Sequence, residues 1–437
     1  MPSLSSKPSH HNPLPQKRPL SEPTPAVPQF ISSRPAKRQR TKPTTQTTTH
    51  TRHTLPSGPH PYGVKPWGNY LIDLTTTSQR ECRTPGLGHL SVLTDEFLLD
   101  FLSTYLPPLT LIRFSKLSRA TYCFAYHDDL WREIVIREYQ SSSLSKYTET
   151  WRNTYKLLSH SPTSSSQAPP LDVPIRIPNF YSDLLFHSFR CSTVPLQTLT
   201  NPTLTTIPRE SALSLSYEDF TTRYAIPNKP VIITDLVTQW DAYKKWDMPN
   251  LLDHYSDYTF RAESVDVPFR DYIRYMQSCS EEAPLYLFDK WFGRTPTINT
   301  DSDSASKREG GKVEVGNLIN DYTVPEYFSS DLFSVLGEKR PDYRWLIMGP
   351  ERSGSSFHVD PNSTSAWNAV ITGRKKWILY PPECTPPGVY PTKDGSEVTS
   401  PLSLVEWYIN HYHETQRSKI KPEECVCEAG EVLFVPH

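Results

Sequence analysis

Residues 355–377, SSFHVDPNSTSAWNAVITGRKKW, decide how this chain is read. In an extended segment side chains alternate faces, so His358 and Asp360 point one way and Val359 the other. An imidazole and a carboxylate on one face can share a metal ion. They are two of the three ligands of the 2-His-1-carboxylate site of a non-haem Fe(II) oxygenase. The same triplet also fits a surface turn ahead of Pro361. Downstream, residues 366–370 and 377–380 are rich in aromatic and β-branched side chains and read as two short strands. Thr372-Gly373-Arg374-Lys375 between them reads as a hairpin-like turn. Lys375, opening the second strand toward the same cavity, is placed to hold a distal carboxylate of a dicarboxylic cosubstrate as a point charge, or else is a solvated turn lysine.

Further motifs lie upstream: APLYLFD at 283–289, DYTVP at 321–325, DLF at 331–333, GEKR at 337–340 and YRWLIMGP at 343–350. Together with 355–377 they resemble a jumonji-C (JmjC) domain, in the branch of protein lysyl-hydroxylases and arginine demethylases once called phosphatidylserine receptors. The resemblance implies a mainly β double-stranded β-helix, of the jelly-roll or cupin-like kind, with flanking helices. It implies Fe(II) held by His358 and Asp360, and 2-oxoglutarate paired with Lys375 and lying against Asn368 and Tyr286. Ser355 stands where the family usually has a threonine that also contacts the cosubstrate.

The family's third iron ligand is a histidine a few residues beyond a Gly-Glu-x-x-Phe-Val-Pro strand. Here that strand is GEVLFVP at 430–436, and His437 falls at the first turn position, short of the ligand's place. The expectation is therefore a fragment, a truncated product or a protein with an incomplete metal site, its barrel lacking the closing strands. The implied activity is Fe(II)- and 2-oxoglutarate-dependent oxygenation of a protein substrate, as lysyl hydroxylation or as arginine or lysine demethylation. Two other readings stay open: a non-catalytic jumonji fold that recognises a substrate without oxidising it, and a truncated, poorly folded product.

The chain has 437 residues, which exceeds one ordinary domain, and its 43 prolines indicate that part of it does not pack. A net charge of -1 gives no bulk attraction to polyanions. Seven scattered cysteines fit a reducing compartment rather than a disulfide scaffold, and Cys425-Val426-Cys427 reads as strand side chains more readily than as half a zinc site. No apolar run has the length of a membrane span and no secretory signal opens the chain, so the expected protein is soluble and intracellular.

Residues 1–88 read as a disordered Pro/Ser/Thr-rich tail. Basic residues crowd its first part, and RPAKRQRTK at 34–42, with Lys17-Arg18 upstream, has the composition of a nuclear-localisation signal for an import receptor; nonspecific nucleic-acid contact is the alternative. From residue 89 the pattern is helical. Thr94 is a candidate N-cap, Phe97, Leu98, Phe101, Leu102 and Tyr105 are expected on one face, and Pro107-Pro108 ends this helix and begins another carrying Leu109, Ile112, Phe114 and Leu117. Residues 89–160 hold an F-box and following helices: 90–139 resemble a small all-α F-box at Leu93, Leu106-Pro107, Leu117-Ser118-Arg119 and Asp129-Leu130-Trp131, which implies docking on the adaptor subunit of a cullin ubiquitin ligase, while a small three-helix core unrelated to ubiquitin stays open. A linker over 161–176 follows. Residues 177–319 are expected to support the barrel, with a helix near Tyr181, a capping box at Ser216, a buried strand at 229–234 and a flexible loop at 299–311, and 320–437 to form the JmjC domain, with a helix containing Trp407-Tyr408.

Overall fold

The computed structural model describes residues 58–76, 80–160, 169–201, 203–293, 317–393, 398–401 and 403–437. The basic run at 34–42, the linker residues 161–168 and the loop at 299–311 lie outside these. Among the described residues the strands are β1 (Arg209–Ser211), β2 (Val231–Thr234), β3 (Thr259–Ala262), β4 (Val265–Pro268), β5 (Leu287–Asp289), β6 (Leu346–Met348), β7 (Ala366–Ala369), β8 (Arg374–Leu379), β9 (Tyr390–Pro391), β10 (Val398–Thr399), β11 (Glu423–Glu428) and β12 (Val432–Val435).

Two sheets build the sandwich that carries the site. One runs β1-β2-β12-β7 and the other pairs β8 with β11. Strand alternation sorts the first sheet's side chains. Ile232 and Leu433, which pair across β2 and β12, face inward and pack with Ile207, Val370, Cys425 and Cys427, with Trp377 and Leu379 against them. Val231, Ile233 and Phe434 face outward onto Phe220, Tyr224 and Tyr327. A second four-stranded sheet, β4-β3-β5-β6, shares its core with the N-terminal helices.

The hairpin expected at 366–380 does not form. β7 pairs with β12 and β8 pairs with β11, so residues 370–373 arch from one sheet to the other. Gly373 takes φ +77° at that crossing, and Lys375 lies inside β8 rather than in a turn. Local composition reveals a strand, but its hydrogen-bond partner is a matter of topology.

The helices follow their end signals. Thr94 Oγ1 accepts from Phe97 N at 3.3 Å, Ser182 caps Asp183–Thr193, Ser216 caps Tyr217–Phe220 and Ser403 caps Leu404–Asn410. Pro108 opens the helix Pro108–Phe114 directly behind Asp95–Tyr105. The expected faces need correction. Leu98, Leu102 and Leu111 are fully buried, whereas Phe97, Tyr105, Leu109 and Leu117 are exposed. Each short helix buries a narrow stripe against Phe124, Trp131 and Ile134, too narrow for every apolar residue within reach of it.

The tail is likewise shorter than expected. From Gly58 onward the chain packs: Val64 and His60 are buried, and helices form at Gly68–Thr76 and Arg83–Leu87. The aromatic residues supply the area. His60 packs edge-on to Phe189, Tyr62 onto Tyr122 and Tyr126, and Trp67 and Tyr70 onto Tyr181.

Candidate active site

The arrangement of His358 and Asp360 is set by backbone. His358 Nδ1 lies 2.7 Å from the Ser356 carbonyl, which can only accept, so Nδ1 carries the proton and Nε2 of the neutral ring keeps its lone pair. That Nε2 is 3.6 Å from Asp360 Oδ1. Two adjacent ligands at about 2.1 Å on an octahedral ion stand about 3 Å apart, so a small closure would seat both on one metal. Phe357, one residue earlier, packs edge-on to the buried Trp407 at 5.0 Å and anchors the segment. Arg352 fixes it from the other side, donating to the carbonyls of Ser192 and Val194. The His358 and Asp360 side chains remain 58% and 39% exposed, open to an incoming ligand.

Lys375 lies inside the sandwich. Lys375 and Trp377 share a face of β8 with Cys427 and Cys425 opposite them on β11. The Lys375 ammonium sits 4.5 Å from the Trp377 ring centre and 3.2 Å from the Tyr286 hydroxyl. Desolvation pulls its pKa down to about 8. Among the described residues no carboxylate pairs with it; the neighbouring Lys376 instead meets buried Glu424 of β11 at 2.7 Å on the opposite face. A part-buried cation without an anion is the complement of a ligand carboxylate. Asn368 pairs with Leu433 and so faces the same interior from β7.

Tyr286 is held on both sides. Leu285 N donates to Tyr275 Oη at 2.7 Å, and Leu287 N donates to Tyr272 Oη at 3.0 Å, which in turn donates to the Met348 carbonyl at 2.8 Å. Its ring lies over Gly349, where a Cβ would come within 2.7 Å of Tyr286 Cδ2.

The structure thus brings Lys375, Tyr286 and Asn368 to one interior and holds His358 beside Asp360. Ser355 is exposed on the approach to that pair. Exposed His437 is tied through its backbone carbonyl to Asn228 Nδ2 at 2.7 Å. Among the described residues no third His, Cys, Asp or Glu completes a three-donor cluster with His358 and Asp360. The donors present therefore fit iron as two protein ligands and 2-oxoglutarate as a carboxylate seat. Reading the sequence missed Trp377, Tyr272 and Tyr275. The two-residue step from Lys375 would have pointed to Trp377, whereas the tyrosines, on the helix Phe269–Ser278, leave no local signal.

Comparison with known proteins agrees with this arrangement. The family model described as "Cupin-like domain" matches residues 217–437. Arginine-specific demethylase JMJ22 of Arabidopsis thaliana is 41% identical over 378 residues, covering 86% of this chain and 69% of its own. That span is longer than 217–437, so the likeness takes in part of the helical region as well. The bifunctional arginine demethylase and lysyl-hydroxylase psr-1 of Caenorhabditis briggsae is 33% identical over 54% of this chain and 57% of its own length. The 2-oxoglutarate and iron-dependent oxygenase JMJD4 of Gallus gallus is 30% identical over 51% of this chain, which spans 53% of that relative. With the family model covering half of its length, a relative 41% identical over 86% of the chain and an inward-facing lysine in a β-sandwich, the chain belongs to the cupin-like family of JmjC proteins.

Proposed function

We propose that this chain is the iron- and 2-oxoglutarate-binding part of a protein oxygenase, with an N-methylated arginine side chain as the favoured substrate and lysine as the second. The observation that carries the reading is the Lys375 ammonium, held against Tyr286 Oη at 3.2 Å and without a carboxylate of its own. Lys375 pairs with the distal carboxylate, the Tyr286 hydroxyl and Asn368 orient it, and His358 Nε2 and Asp360 supply two ligands to the metal. Bound Fe(II) supplies the redox chemistry: 2-oxoglutarate and O2 yield succinate and CO2 while one oxygen enters a substrate C–H bond. On an N-methyl carbon the hydroxylated product loses formaldehyde; on a lysine methylene it persists as hydroxylysine. The arginine preference rests on a relative 41% identical over 86% of this chain that is named arginine-specific demethylase, against one 33% identical over 83% of it that is named lysine-specific demethylase.

The test is anaerobic binding of Fe(II) and 2-oxoglutarate to the full chain, then succinate release in air with methylarginine and lysine peptides. His358→Ala should abolish iron retention. Lys375→Ala should weaken 2-oxoglutarate roughly 100-fold, the scale of losing one partner of a buried charge pair. Binding that ignores both substitutions overturns the reading. Binding without turnover would mark a fold that recognises its protein without oxidising it.

A second role is favoured by the exposed apolar side chains Phe97, Tyr105, Leu109 and Leu117, which crowd three consecutive short segments. They suit docking on a ubiquitin-ligase adaptor. Association with a purified adaptor subunit, lost on Leu109→Glu with Leu117→Glu, is the check. Nuclear import through residues 34–42 is proposed from composition, and replacing its basic residues by alanine should leave a fluorescent fusion outside the nucleus.

A further inference from the structure

Away from the His358 pair, four donor side chains converge where three segments meet. His187 and Cys191 are one turn apart on the helix Asp183–Thr193, the spacing that puts two ligands on one face. Glu282 comes from the loop leading to Tyr286, and Glu406 from the helix Leu404–Asn410. Ligand atoms of His187, Cys191 and Glu282 all lie within 4.8 Å of one another. The His187 Nε2 atom is the hub, 3.5 Å from Cys191 Sγ and 3.4 Å from Glu406 Oε1.

These separations are informative. Ligands held at about 2.0–2.3 Å in a tetrahedron around zinc stand roughly 3.3–3.6 Å from one another. The nitrogen–sulfur and nitrogen–oxygen distances from His187 match that shell, while Glu406 stands outside the group of three and has to turn toward Cys191 and Glu282 to complete it. The supporting contacts match too: Ser403 Oγ donates to Glu282 Oε1 at 2.6 Å, orienting the carboxylate as outer-shell partners do. Cys191 is fully buried, so its sulfur faces these side chains and not solvent.

We propose that His187, Cys191, Glu282 and Glu406 form a structural zinc site that ties the helix Asp183–Thr193 and the helix Leu404–Asn410 to the segment carrying Tyr286. One thiolate, one imidazole and two carboxylates close a four-coordinate shell without an open position, which makes the site structural. The proton leaving the Cys191 thiol passes to solvent as the Zn–S bond forms. The same helix ends at the carbonyls that hold Arg352, so the zinc braces both the cosubstrate side and the metal-ligand segment.

The experiment uses the full chain carrying His358→Ala, which removes the other candidate metal pair. Zinc content after purification and dialysis is measured by mass spectrometry. The metal is then replaced by Co2+, whose thiolate charge-transfer band reports a sulfur ligand. Expected are one equivalent of zinc and a thiolate band, both lost in Cys191→Ala and His187→Ala and retained in Cys427→Ser. Circular dichroism checks that each variant is folded, and if Cys191→Ala does not fold, the His358→Ala protein alone decides. Failure of that protein to retain zinc, or a thiolate band that survives in folded Cys191→Ala, overturns the proposal.

Discussion

Lys375 couples burial of a charge directly to stability and to ligand binding. Its folded pKa of about 8 is below the ordinary 10.5, because water is withdrawn from the ammonium and no carboxylate replaces it. Between about pH 8 and 10.5 the unfolded chain therefore holds a proton that the folded chain does not, and stability rises with pH across that window. Below pH 8 the charge is buried at full cost, on the order of 3 kcal/mol. Lys375→Met, which keeps the stem and drops the charge, should raise the unfolding midpoint at pH 7 by a few degrees while abolishing stabilisation by 2-oxoglutarate. A calorimetric scan with and without cosubstrate measures both, and a destabilised variant would show that the lysine already has an anionic partner. In the native protein, affinity for 2-oxoglutarate should fall as pH rises through about 8, since a neutral amine cannot pair with the carboxylate.

At the scale of elements, the site depends on contacts between segments far apart in sequence. Tyr272 Oη joins β5 to β6 by accepting Leu287 N–H and donating to the Met348 carbonyl, so it sets where Tyr286 stands. Tyr272→Phe leaves two buried backbone groups unpaired and should cost about 2 kcal/mol, within the usual range for such a loss. It should also weaken 2-oxoglutarate binding several-fold while leaving iron binding unchanged; denaturant unfolding and titration separate the two. This dependence explains what could be read in advance. His358 and Asp360 are two residues apart in one extended run, where alternation is local, so their closeness was legible. The pairing of β7 and β8 was not, because their partners β12 and β11 arrive from more than forty residues downstream. The four-residue spacing of His187 and Cys191 passed unread as a pair, and Glu282 and Glu406 join them only through tertiary folding.

Over the whole molecule, the helices before the β-sandwich and the sheet β4-β3-β5-β6 share one core. Leu98, Trp131 and Trp151 belong to the same buried cluster as Val267, Tyr275 and Leu287. Arg132 is the polar tie across that junction. It donates to the Ala283 carbonyl at 2.7 Å, meets Glu263 at 3.0 Å and lies 3.3 Å from Glu281, a carboxylate only 7% exposed. Burial pushes the Glu281 pKa up and Arg132 opposes it, so the pair is interdependent. Arg132→Met keeps most of the packing but strands Glu281 without its cation, and such a loss costs about 3–5 kcal/mol. Adding Glu281→Gln should recover part of that, because the neutral amide needs no counter-charge. If helices and sheets are a single cooperative unit, circular dichroism of the helices and tryptophan fluorescence should move together to the lower midpoint in Arg132→Met. Two separated transitions, with the sandwich melting at its original temperature, would show instead that the helical part unfolds alone, and that the cosubstrate site keeps its shape without it.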